Sequence, residues 1–283
     1  MTAKESEFMQ VTVLQKALLP WQARDVLVQG SSALGGVVTL AGEAARLRTA
    51  PELAAAYRWG PERVADAVEH VDVVRFVMDP MMSLTAPRDV GPVPWPHYST
   101  GFLASEHLVR AWMLDRTRYP EGAECWRVHA DGRQELVSVY DGSARGWRGA
   151  QAYAPPNHLV GPRARWNGTE YAADVLESGA IELIAVGPDA PDGFTSARPM
   201  IWTRQVPAAE CDVVQSPVLQ GTWRGTPVRV IDKAGEQVRL LLQEPTAADV
   251  ERTGAAEVEP GIFEVEAPVS ELADLNAYVR QLA

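Results

Sequence analysis

The sequence predicts an α+β protein. An N-terminal α+β domain spans residues 1–150. Two tandem small, strongly bent β-sheet modules of the SH3-like barrel kind, with short helices, follow over 161–215 and 216–283, and the second ends in a C-terminal helix. Three observations predict this. The first is a repeat: Arg165-Trp166-Asn167-Gly168-Thr169 returns as Thr222-Trp223-Arg224-Gly225-Thr226. In the same order, Ile181-Glu182-Leu183-Ile184 matches Val238-Arg239-Leu240-Leu241, and Ile201-Trp202 matches Ile262-Phe263. Val206-Pro207-Ala208-Ala209-Glu210 likewise matches Ala267-Pro268-Val269-Ser270-Glu271. Ordered matches of this kind mark a duplicated module of roughly 60 residues. The second observation is a set of short strand signals at regular spacing in both copies, which suits a small bent sheet or barrel. The third is a mixture of helical and strand periodicities in the first half.

In order, a short helix is expected over 8–19, stopped by Pro20. Residues 21–29 read as a strand that forms a hairpin with 37–40 across Gly30-Ser31-Ser32-Ala33-Leu34-Gly35-Gly36. Thr49 is a candidate cap, and Pro51 sits at the first turn of a helix running to about residue 59. A second helix is expected over 62–69. The near-continuous apolar run 71–78 predicts a strand covered on both faces. Residues 79–96 hold five prolines and no period, which predicts a long irregular loop. Leu103, Leu108, Ala111 and Trp112 fall at helical spacing and predict a helix over 101–116, capped by Ser99 or Thr100. Residues 125–140 read as a hairpin turning at Asp131-Gly132, and 142–156 as a linker ending in Pro155-Pro156.

Each C-terminal module opens on a strand carrying Trp166 or Trp223. Strands at 171–176 and 228–231, then 181–186 and 238–242, then 200–204 and 263–266 complete the two sets. A short helix is expected at 246–252, and a final one over 270–282 capped by Ser270.

The chain of 283 residues has 46% hydrophobic residues, ordinary for a globular protein. No run of 18 apolar residues predicts a membrane span, and the first residues do not read as a signal peptide, so a cytoplasmic location is expected. The two cysteines, Cys125 and Cys211, predict neither a disulfide framework nor a zinc site, and no metal or cofactor is expected. The net charge is −11. Residues 163–283 carry 10 basic and 19 acidic residues, so the acidity belongs to the repeats. Such a surface disfavours nucleic acid and anionic membranes and attracts basic partners.

No phosphate-binding loop, metalloprotease helix or nucleophile elbow is present: Gly30-Ser31-Ser32-Ala33-Leu34 has leucine where the elbow needs glycine. The candidate partner-binding residues are Glu257, Glu259, Glu264 and Glu266. They flank Pro260-Gly261, and alternation along two strands would gather them on one side of a hairpin. Trp166 and Trp223 are either core anchors of their modules or exposed groove residues. An alternative pocket would use His70 and Asp72 at a helix-to-strand junction, with Trp95 and His97 from the proline-rich loop, joined by Arg88 and Asp89. Arg145, Arg148, Arg163 and Arg165 run beside Trp147 and Trp166 as a candidate anion cluster.

Ala164-Arg165-Trp166-Asn167-Gly168-Thr169, Gly221-Thr222-Trp223-Arg224-Gly225-Thr226 and Glu257-Val258-Glu259-Pro260-Gly261-Ile262-Phe263-Glu264 resemble modules of actinobacterial proteins that accompany polymorphic toxins, in the position of immunity partners. The resemblance covers residues 161–283 alone and carries no functional residue. It implies a non-enzymatic protein-binding protein that occludes a basic secreted toxin. Two alternatives stay open: an enzyme or small-molecule-binding protein with a site near the 80–97 loop, and a secretion chaperone or self-assembling scaffold.

Overall fold

Apolar runs in the first half pair into one antiparallel sheet. The computed structural model describes residues 12–57, 59, 69–85, 101–104 and 107–282, with backbone alone for 101–104, 107 and 108. The strands are β1 (Val13–Leu18), β2 (Ala33–Leu40), β3 (His70–Val77), β4 (Leu84–Thr85), β5 (Gly101–Ala104), β6 (His107–Arg118), β7 (Glu124–His129) and β8 (Gln134–Val139). They lie in the order β4-β6-β2-β1-β3-β7-β8, with β5 beside β6. Side chains alternate between faces along a strand, and both faces are covered. On one, Val71, Val73 and Val109 meet Ala50, Leu53 and Tyr57 from helix α3 (Ala50–Ala56) and its end; α2 (Ala41–Ala44) precedes it. On the other, Leu14, Val74, Phe76 and Leu114 meet Val26 of helix α1 (Pro20–Leu27) and the rings of Tyr119, Tyr140 and Trp147. The expected cap of α3 forms: Glu52 N donates to Thr49 Oγ1 at 3.3 Å, and the Glu52 carboxylate takes Thr49 N at 3.0 Å.

The repeats build a second antiparallel sheet. Its strands are β9 (Arg163–Trp166), β10 (Thr169–Val175), β11 (Ala180–Val186), β12 (Thr195–Arg198), β13 (Ile201–Pro207), β14 (Val213–Trp223), β15 (Thr226–Ala234), β16 (Gln237–Leu242), β17 (Ala256–Glu259), β18 (Ile262–Pro268) and β19 (Ala273–Gln281). Matched segments occupy matched elements. Asn167 and Gly168 have φ of 50° and 76°, and Arg224 and Gly225 have 48° and 75°. Two successive left-handed residues make the tight hairpin turn that suits strand twist. After β13 and β18 a single 3-10 turn, Ala208–Glu210 or Val269–Glu271, leads into the closing strand, β14 or β19. β14 serves both copies. Its first residues pair with β9 and its last with β15, while its other edge takes β19 from Gln215 to Thr222.

These findings overturn the α+β expectation. The described chain is mostly β, in two large antiparallel sheets, and its four helices, completed by α4 (Ala247–Thr253), have at most eight residues. The C-terminal helix expected over 270–282 is strand β19, because β14 offers it an edge and hydrogen bonds across strands override helix propensity. The helix expected over 101–116 is β5 and β6. Its helical spacing came from a strand with apolar residues on both faces, paired to β2 on one side and β4 and β5 on the other. The strand expected over 21–29 is α1. Pro20 begins this helix rather than ending one, since its fixed φ suits the first turn. The expected helix 8–19 falls on β1, with its earlier part outside the described residues; of the helix expected over 62–69 only Glu69 is described, and it is not helical. Among the described residues no helix is long and apolar enough to cross a membrane.

One half-buried acid behind β3 makes this packing sensitive to pH. Burial pushes the Asp79 carboxyl from an ordinary 3.8 up to about 6, with nearby Asp174 adding to the rise. The fold prefers the protonated acid, so that contribution is complete below pH 4 and disappears as pH climbs through about 6. Asp79→Asn keeps an acceptor for Met81 N, now 2.6 Å from the carboxylate. It is expected to raise stability at pH 7.5 by about 1–2 kcal/mol and to flatten the decline between pH 4 and 7, read by urea unfolding at each pH.

Candidate functional site

The acidic hairpin β17–β18 turns at Pro260-Gly261, where Gly261 has φ of 77° and donates its N–H to Glu257 Oε1 at 2.9 Å. The strand register slips between Glu257 and Glu259, a bulge that re-aims Glu259. Glu259 and Glu264 are both 8% exposed. Each meets a cation from the other sheet. Lys16 of β1, 3% exposed, donates to Glu259 Oε2 at 2.7 Å, and Arg116 of β6 pairs with Glu264. Trp21 of α1 adds an indole hydrogen bond to Val258 O at 3.2 Å. Gly36 is required where the hairpin docks: its φ is 79°, and a Cβ would collide with the Glu259 carboxylate.

The four carboxylates therefore do not gather into one solvent-facing patch. Glu257 holds the turn, Glu259 and Glu264 face the N-terminal sheet, and Glu266 is exposed beside Arg239 at 3.4 Å. Simple alternation missed the bulge, and nothing in the sequence showed that the two halves touch. Trp166 packs with Tyr171 and Phe194 in the first module, with Arg204 4.5 Å above its ring. Trp223 is a core residue of the second, its indole donating to Glu271 at 3.0 Å.

The alternative pocket is not assembled from its described members. His70 starts β3 on the surface, its ring 6.3 Å from that of His129. Asp72 is buried in a two-pronged pair with Arg127, both bonds 2.9 Å. Arg88, Asp89, Trp95 and His97 lie outside the described residues. The arginine cluster is dispersed over separate acids: Arg145 on Glu182, Arg148 on Asp141, Arg163 on Glu170 and Arg165 near Asp212. Among the described residues, no three His, Cys, Asp or Glu side chains converge to hold a metal.

What the structure does bring together is a charged seam between the sheets. Arg229 of β15 and Arg280 of β19 both pair with Asp115 of β6, and Arg229 also donates to Arg116 O at 3.0 Å. Burial holds the Arg229 guanidinium below its ordinary pKa, although Asp115 works the other way. Nearby, Arg118 reaches Val160 O, Pro162 O and Ala173 O, each at 2.7 Å, which ties the linker to both sheets. Asp174 accepts from Ser143 N and Oγ at 2.6 Å each. Burial pushes the Asp174 carboxyl up, against the pull of Arg118.

Arg116 and Gly35 sit between two cavities and line both. The larger, about 410 Å³, is walled by Trp21, Asp25, Tyr119, Asn157, Asp232 and Arg239. The smaller, about 290 Å³, is walled by Asp115, Arg229, Gln243, Tyr278 and Arg280, with exposed Glu244 on its rim. Each draws residues from both sheets. Sequence reading missed every cationic member, because isolated Lys16, Arg116, Arg229 and Arg280 have no motif around them.

Lys16 and Glu259 allow the seam to be tested. Removing one partner of a buried ion pair leaves an uncompensated charge, so Lys16→Met alone is expected to cost about 3–5 kcal/mol. The double variant Lys16→Met/Glu259→Leu is expected to recover most of that loss, measured by chemical denaturation in a double-mutant cycle. Additive losses would show that the two side chains are not coupled. The chain matches no family model, no curated protein and no solved structure.

Proposed function

We propose that this chain is a binding protein for a small polar molecule, taken into the cleft between its two sheets. One observation carries the reading: both cavities are lined jointly by the N-terminal sheet and the repeats, around charged side chains held in place by one another. Ligand sites favour junctions between structural units, and a volume of about 410 Å³ falls within the roughly 300–1,000 Å³ usual for small ligands. The smaller cavity also includes Ser83 and Thr85, at the start of the proline-rich segment expected to line a pocket. The immunity reading, drawn from the acidity of the repeats and from the resemblance, took the acidic hairpin as its docking face; two of the four carboxylates there are paired inside the chain.

The test is thermal unfolding of the full chain against a library of polar metabolites. A ligand present at 100 times its Kd stabilises the fold by about 2.7 kcal/mol. At least one compound is expected to raise Tm, and the rise is expected to vanish on plugging one cavity, by Ala33→Trp for the larger or Thr85→Trp for the smaller. A library without effect, or a rise that survives both plugs, would contradict the reading.

A further inference from the structure

The smaller cavity holds an ion pairing unlike other arginine–carboxylate pairs of the chain. Arg127 meets Asp72 through two bonds of 2.9 Å, Arg145 meets Glu182 through two of 2.9 Å, and Arg148 meets Asp141 through two of 2.7 Å. Each is one guanidinium on one carboxylate. At the cavity a single carboxylate serves two: Arg229 takes Asp115 Oδ1 and Arg280 takes Oδ2. The planar guanidinium fork matches two acceptor oxygens, and here each fork receives one carboxylate oxygen.

Lys16 and Arg116 are paired with Glu259 and Glu264, and Arg229 and Arg280 share Asp115. Glu244, also on the wall, is exposed at the rim and makes an interaction of its own. Arg229 is 1% exposed, and its Nε–H has no hydrogen-bond partner among the described residues. A buried guanidinium with an unmade hydrogen bond beside an open cavity favours an incoming anionic acceptor. Neutral polar residues line the same space: Ser83, Thr85, Gln220, Gln243 and Tyr278.

We propose that the smaller cavity is an oxyanion site, where Arg229 and Arg280 grip the phosphate or carboxylate group of a small molecule. Asp115 is then the internal anion that competes with the ligand for the two guanidiniums. The inference rests on the cleft being a ligand site and specifies the chemistry of its smaller half.

The experiment is calorimetric titration of the full chain at low, constant ionic strength with sodium pyrophosphate, trisodium citrate and, as a neutral control, trehalose. At least one anion is expected to bind; pyrophosphate alone would mark a phosphate site and citrate alone a carboxylate site. Arg280→Gln is expected to weaken that binding about tenfold or more. Arg280→Lys, which keeps the charge and loses the fork, is expected to fall between. Asp115→Asn is expected to tighten binding, because it removes the competitor. Circular dichroism would confirm that each variant is folded, and Arg280 is exposed enough to tolerate change. Failure of both anions to bind, binding indifferent to Arg280→Gln, or weakening by Asp115→Asn would overturn the proposal. If neutral library compounds still bind and are blocked by a plug, the oxyanion site alone falls. If nothing binds, the cleft reading falls with it.

Discussion

The ion pairs that cross between the sheets, Lys16 with Glu259 and Arg116 with Glu264, are the constraint on which the rest of the structure depends. Four charges that water would otherwise solvate are taken to the boundary between two β layers. Such pairs contribute little to stability over an apolar contact, yet they penalise any arrangement that separates the partners. They therefore act on geometry: they hold the acidic hairpin against the first sheet at one spacing and leave a cavity on either side. The bulge at Glu257–Glu259 and the absence of a side chain at Gly36 are the local adjustments that let the hairpin come this close.

The duplicated module shows what that docking requires and what it does not. Both copies keep the left-handed hairpin turn, the strand order and the 3-10 turn before the closing strand. Their charges differ. Glu182 of the first copy is buried against Arg145, whereas its counterpart Arg239 lies half-exposed beside Glu266. The first copy holds the linker through Asp174 and Glu182, and the second holds the first sheet through Arg229, Glu259, Glu264 and Arg280. One scaffold thus carries two contact chemistries, and β14, shared by both copies, joins them in one sheet.

Much of the local structure was legible in the sequence. The repeat register located both tryptophan hairpins, Asp131-Gly132 marked its turn, and Thr49 marked its helix cap. Composition misled where strands are built from helix-forming residues. Residues 270–282 hold leucine, alanine and glutamate, and propensity alone favours a helix. The repeat carried the better signal: the segment after the first 3-10 turn is a strand, so its counterpart after the second is one too. The candidate site was less legible. The glutamates that appeared to face a partner face Lys16 and Arg116, which lie 243 and 148 residues away in the chain. Nothing local records such a pairing, and a bulge of one residue reverses which face a carboxylate takes.

If the charged seam joins the two sheets as described, they unfold as one unit. Hydrogen exchange of the full chain at rising denaturant, read separately over β1 and β3 and over β15 and β16, tests this most directly. The structure predicts that the two groups of amides open in a single coincident transition. It also predicts that Glu259→Gln/Glu264→Gln splits that transition in two. Separate transitions in the unaltered protein would contradict the account, because the sheets would then be stable independently of the contacts that shape the cleft.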